Sequence, residues 1–97
     1  MTLPIRLSPL AQADLDEIWN YTVAQWDEAQ AQDYLLGLDS TMKLLAENPR
    51  MGRAIDDIRE GYFKFPAASH LLIYRLKPDA IEFMRILHGR MDVERHV

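Results

Sequence analysis

Along the 97 residues the spacing of apolar side chains passes from strand-like to helical and back again. Leu3 to Leu7 reads as a short strand. Ser8 then offers a hydroxyl that can accept from a free amide of a first helical turn, and Pro9 suits the first helical position, where its missing N–H would have had no partner. Leu10, Leu15, Ile18, Trp19, Thr22 and Trp26 fall on one stripe of a helix running to about Trp26, with Gln12, Asp16, Asn20 and Asp27 opposite. Asp27 and Gln30 have the form of a capping box, a carboxylate accepting from the first amides of a second helix, worth about 1 kcal/mol. Ala31, Tyr34, Leu35, Leu38, Met42 and Leu45 keep helical spacing until Asn48-Pro49 stops it. Two amphipathic helices with almost no linker make an antiparallel hairpin, and Trp19, Trp26 and Tyr34 read as core or helix-seam residues.

Met51 to Gly61 reads as a charged surface connection, and Tyr62 to Phe65 as a strand closed by Pro66. Ser69 to Lys77 and Ala80 to Leu87 form a β-hairpin around Pro78-Asp79. With a two-residue loop, Lys77 pairs with Ala80, Arg75 with Glu82, Ile73 with Met84 and Leu71 with Ile86. That register groups Leu71, Ile73, Met84 and Ile86 on one face and Leu72, Tyr74, Leu76, Ile81, Phe83 and Arg85 on the other; proline in the loop also fits a longer turn and a shifted register. Both faces are apolar in either case. A sheet covered by its helices on one side and left apolar on the other needs a partner.

A chain of this length with 48% hydrophobic residues has material for one domain, 1–97, and for a stability of about 5–15 kcal/mol. The absence of cysteine excludes disulfides, thiolate metal sites and cysteine nucleophiles, and fits a reducing cytoplasm. No signal-peptide pattern opens the chain, and no apolar run reaches the ~20 residues of a membrane helix. The net charge of −4 is unevenly spread: residues 1–49 hold two basic and eight acidic groups, residues 50–97 nine basic and seven acidic. The basic groups are scattered and not massed, so direct nucleic-acid binding is weakly signalled and a protein target is at least as well supported.

Leu7-Ser8-Pro9-x-Ala11 with Asp14-Leu15-x-x-Ile18-Trp19, then Asn48-Pro49-x-Met51-Gly52-Arg53, then Ser69-His70-Leu71-Leu72-Ile73-Tyr74-Arg75, and finally Ile86-Leu87-His88-Gly89-Arg90-x-Asp92 occur in an order that resembles the RelE/ParE superfamily of toxins over essentially the whole chain. The first and last groups resemble the ParE branch. The resemblance implies an α+β fold: an N-terminal strand, an antiparallel α-hairpin packed on a mostly antiparallel sheet, and a terminal β-hairpin. It also implies a toxin of a type II pair, neutralised by a ParD-like antitoxin and acting on DNA gyrase without catalysis or cofactor. The RelE branch would instead imply a ribosome-dependent mRNA endoribonuclease; a third reading is an inert relative that serves only as antitoxin partner and corepressor.

On this reading Arg85, His88, Arg90, Asp92 and Arg59 are the expected target contacts, and Leu72, Tyr74, Phe83, Arg85 and Trp19 the expected antitoxin contacts. Arg85 leads because it projects from a nearly apolar strand and so needs an acid, an aromatic stack or water. Arg75 has a cross-strand mate in Glu82 and reads as structural. RNA cleavage would need an acid, a base and cations together; here only His88 with Arg85, Arg75 and Arg59 offers them, and no tyrosine follows Tyr74. His70, His88 and His96 match no metal-ligand spacing, and His70 reads as a strand-end histidine bonded to backbone. The tail from Arg90 to Val97 is open to two readings, a solvated terminus or part of the target surface.

Overall fold

The computed structural model describes residues 2–97. Strand β1 (Ile5–Leu7) leads into α1 (Pro9–Gln25), whose N-cap is Ser8: its Oγ accepts from the Ala11 N–H. The same hydroxyl donates to the Met84 carbonyl at 2.7 Å, so one side chain both starts the helix and ties it to the sheet. Asp27 caps α2 (Glu28–Glu47) by accepting from the Gln30 N–H at 2.7 Å. The two caps fall where the spacing predicts them, each worth about 1 kcal/mol.

Beyond α2 come β2 (Arg53–Ala54), β3 (Tyr62–Ala67), β4 (His70–Lys77), β5 (Ala80–His88) and a short α3 (Val93–His96). The sheet order is β1-β5-β4-β3-β2, with β1 parallel to β5 and every other pairing antiparallel. The α+β architecture is therefore the expected one: two helices on a five-stranded, mostly antiparallel sheet. Pro66 lies within β3 and does not close it. β2 is paired with β3 only at Phe63 and Lys64, so no ladder partner needs the amide that proline lacks.

The hairpin register holds near the turn, where Lys77 faces Ala80 and Arg75 faces Glu82, and then slips. Tyr74 pairs with Phe83 but Ile73 pairs with Arg85, leaving Met84 as the extra residue of a β-bulge. Every side chain of β5 after Met84 thereby changes face. Ile86 joins Leu72, Tyr74, Ile81 and Phe83 beneath the helices, and Leu87 joins Ile73 on the other side, with Met84 packed beside them.

That other side is not left open as expected. Ile55 and Ile58 from the connection, and Val93 and Val97 from the tail, pack with Tyr62, Ile73 and Leu87 into a second cluster. The Met51 to Gly61 stretch is thus more than a surface connection: it contributes a strand and a buried isoleucine. Its path is pinned by Tyr74, whose buried hydroxyl donates to the Pro49 carbonyl at 2.8 Å and accepts from the Gly52 N–H at 2.9 Å. A β-carbon on Gly52 would overlap that hydroxyl, which is why glycine stands there.

Candidate partner-binding site

The end of β5 and the inner side of α1 enclose an open groove of about 650 Å³. Its base is an ion pair formed at the place where β1 no longer covers β5. Asp14 accepts from Arg85 Nε at 2.8 Å, from Arg85 Nη2 at 3.0 Å and from the Ile86 N–H at 2.8 Å. Arg85 Nη1 donates onward to the His96 carbonyl at 3.1 Å, so one guanidinium joins α1, β5 and α3. The pair is mostly buried, with side chains 17% and 12% exposed. The hydrogen bond that Arg85 donates to Asp14 is the main influence raising the Arg85 pKa, and the guanidinium stays charged.

On the groove floor the Tyr34 hydroxyl lies 2.6 Å from His70 Nδ1 and accepts from the Ser69 N–H at 3.0 Å. His70 is therefore anchored by a side chain of α2, not by backbone. Burial, and then the neighbouring His88, push its pKa below the usual imidazole value. The rings of His70 and His88 meet edge-on with centroids 5.6 Å apart, as their cross-strand pairing requires. His88 is exposed, and its Nδ1 accepts from the Arg90 N–H at 3.2 Å. Asp92 caps α3 by accepting from the Glu94 N–H at 3.1 Å, so the tail is a helical turn with two valines packed inward.

Three of the expected antitoxin contacts are placed elsewhere. Leu72, Tyr74 and Phe83 are 0% exposed beneath the helices, and no partner reaches them without lifting α1 and α2. Trp19, 38% exposed, stays accessible but does not line the groove. Trp26 is not a core residue: it is the C-cap of α1, 71% exposed on the groove rim. Arg85 is not a free cation, since three of its five N–H groups are held by Asp14 and the His96 carbonyl. Arg59 sits over the Tyr62 ring, 4.9 Å from its centroid, on the second-cluster side of the sheet and not in the groove.

A profile described as "ParE toxin of type II toxin-antitoxin system, parDE" matches residues 5–93. The chain belongs to the ParE toxin family. It is 49% identical over 92 residues to Toxin ParE1 of Mycobacterium tuberculosis strain H37Rv, covering 94% of each chain. To Toxin ParE1 of Caulobacter vibrioides it is 39% identical over 94 residues, covering 97% of each. A Toxin RelE3 from Caulobacter vibrioides is more distant, at 33% over 88 residues, 88% of this chain and 92% of the relative. The fold is shared with a solved chain from "Chromosomal ParDE TA system from P. aeruginosa", with a TM-score of 0.78, 19% identity, and coverage of 90% of this chain and 96% of that one.

Set in this ParE framework, the four residues considered for RNA cleavage share no single site: Arg85 borders the groove with His88 and a smaller hollow with Arg59, and Arg75 borders neither. Arg75 donates to Glu82 at 2.8 Å, which raises its pKa and lowers that of Glu82. Arg59 covers Tyr62, Arg85 is held by Asp14, and His88 has His70 as its neighbour. Among the described residues no three histidine, cysteine or carboxylate groups come together for a metal. Among the described residues no helix is long and apolar enough to cross a membrane. Asp14 is the functional residue that sequence reasoning passed over, although a signal existed. It lies three residues after Ala11 and four before Ile18, both buried, which makes it a carboxylate on the apolar stripe in need of a cation.

Proposed function

We propose that this ParE toxin works by binding alone: it inhibits growth by engaging DNA gyrase and is neutralised by a ParD-like antitoxin. The observation that carries the non-catalytic part is the distribution of cations. Arg75 and Arg85 are engaged by internal carboxylates and Arg59 stacks on Tyr62 on the second-cluster side of the sheet, so none of these three cations stands free beside His88 to meet a scissile phosphate. The gyrase target and the antitoxin rest on family membership. His88, Arg90 and Asp92 support the strand end as target surface because all three are exposed on one short stretch that starts at the last residue of β5. Arg85 supports that surface from beneath as a strut. Arg59 is a secondary candidate on the second-cluster side.

The test is induced expression of the chain without its antitoxin, followed by a supercoiling assay with purified toxin and gyrase and by mapping of cellular messages. Growth arrest, blocked supercoiling and intact messages are expected. Normal supercoiling with cut messages overturns the target and the mechanism together, and absence of growth arrest leaves the corepressor role in their place.

A further inference from the structure

Strand register draws together basic side chains that lie far apart along the chain. Directly paired residues of neighbouring strands point to the same side of a sheet, and so do residues two apart on one strand. Arg6 is opposite Glu82 and Glu82 opposite Arg75, while Arg53 is opposite Lys64 and Lys64 opposite Ile73. Arg75 and Lys77 follow Ile73 at steps of two along β4, and Ile73 belongs to the second cluster. All five cations therefore emerge on the side of the sheet away from α1 and α2. They run from β1 at one edge to β2 at the other, four strand spacings or about 19 Å. Among the described residues two carboxylates pair with them: Glu82, 2.8 Å from Arg75 and 3.7 Å from Lys77, and Asp79, 3.4 Å from Arg6 in a pair more than half exposed. Arg59 also rises on this side, but Asp56, Asp57 and Glu60 neighbour it in the connection, and it is left out of the set.

The two sides of the molecule are oppositely charged. Five cations against two carboxylates give this face a formal +3, whereas the helical layer behind it, residues 9–47, holds eight carboxylates and one lysine, formally −7. A protein of net charge −4 can thus approach a polyanion, provided that it does so sheet first. The surface of the face says which polyanion. Protein partners are anchored by apolar and aromatic side chains. Among the described residues none of the exposed large apolar side chains comes from β2, β3, β4 or β5, and Leu7 of β1 pairs with Phe83 on the helix side. A nucleic-acid single strand needs aromatic rings on which its bases stack. Phe63 and Phe65 pack under the helices instead, and Tyr62 is 4% exposed and covered by Arg59. What remains is a set of point charges about 19 Å across, wide enough to meet the phosphates on both sides of a major groove about 12 Å wide.

We propose that the sheet face carrying Arg6, Arg53, Lys64, Arg75 and Lys77 docks on the phosphate backbone of duplex DNA. Its place in the toxin's action rests on the gyrase reading above: gyrase holds a duplex, and a toxin bound beside it turns its sheet to the phosphates and its acidic helices away. The test begins without gyrase, with purified wild-type toxin titrated onto a short fluorescent duplex and binding read by anisotropy across a salt series. With about three phosphates neutralised, affinity should fall about fortyfold between about 50 and 200 mM salt. At the lower salt Arg53→Glu should weaken binding about tenfold and Lys64→Gln about threefold, and Lys64→Gln should reduce the salt slope by about one. Lys64→Gln, which only removes charge, decides the matter if Arg53→Glu lowers the urea midpoint. Lys43→Glu, the same reversal on the helical layer, should change binding less than about twofold. In the supercoiling assay Arg53→Glu should need several times more toxin than wild type for equal inhibition. The inference is overturned if wild type does not bind the duplex at about 50 mM salt, if its affinity ignores salt, if the Arg53, Lys64 and Lys43 variants behave alike, or if a single strand of the same sequence binds more tightly. Duplex binding by a wild type that leaves gyrase untouched removes the gyrase reading and keeps the DNA-binding face, and gyrase inhibition without duplex binding does the reverse.

Discussion

Removing Asp14 tests whether the clasp at the end of β5 holds the fold together. Asp14→Ala deletes the acceptor of two guanidinium N–H groups and of the Ile86 amide, and leaves Arg85, 17% exposed, with only the His96 carbonyl. Removing one member of a buried pair costs about 3–5 kcal/mol, and the residual solvent access here brings the expected loss to about 2–4 kcal/mol. Arg85→Ala leaves Asp14 its bond to Ile86 and should cost about 1 kcal/mol less, the net worth of one hydrogen bond. Against a total of about 5–15 kcal/mol these are large fractions. Combining Asp14→Leu with Arg85→Met replaces the charges by apolar groups of similar size and should recover most of the stability, since charge burial no longer has to be offset. Urea unfolding reads this directly: a loss of about 3 kcal/mol lowers the midpoint by about 1–3 M. The reasoning is refuted if either alanine variant unfolds within ~0.5 kcal/mol of the parent, if Arg85→Ala is the costlier, or if the double variant loses the sum of the single ones.

Three further outcomes are expected. Gly52→Ala drives a β-carbon onto the Tyr74 hydroxyl and should lose about 1–3 kcal/mol in the same unfolding experiment. The lowered His70 pKa means that the unfolded chain takes up a proton at higher pH than the folded one. Stability from this group is thus complete above the unfolded value of about 6.5 and declines as pH falls through it toward the folded value; thermal unfolding of wild type between pH 7.5 and 5 should show that decline, and His70→Asn should flatten it. Trp26→Ser, at a side chain 71% exposed, should leave the unfolding midpoint within about 0.5 kcal/mol of wild type; a larger loss would mean that Trp26 is buried in solution.

How far the chain could be read in advance depended on whether a signal was local. Ser8-Pro9, Asp27 with Gln30, Asn48-Pro49 and Pro78-Asp79 act within a turn or two, and each starts or stops an element where expected. The β-bulge leaves no such mark: nothing around Met84 distinguishes a strand with one extra residue from a regular one, and the slip changed the face of everything after it. The same limit hid the second cluster, because Ile55, Val93 and Val97 lie in segments too polar to suggest burial and meet only in space. The candidate site fared likewise. His88, Arg90 and Asp92 stand exposed from the end of β5 onward, whereas Leu72, Tyr74 and Phe83, read as antitoxin contacts, lie beneath the helices. Asp14 and Arg85 were each legible as a charge out of place, and setting the two misfits against each other would have matched them.

The early end of β1 bears on what happens to the toxin when it is made in excess of its antitoxin. A bare strand margin invites copies of the same molecule to stack on one another, and hydrophobic flanks make the stacking hard to reverse. Here a serine and an aspartate from the following helix occupy most of that margin, and what they spare is too short for a second copy to grip through backbone alone. Overproduced chain should accordingly stay dispersed instead of forming fibres, and selection of a partner passes from the shared backbone to the side chains along the rim.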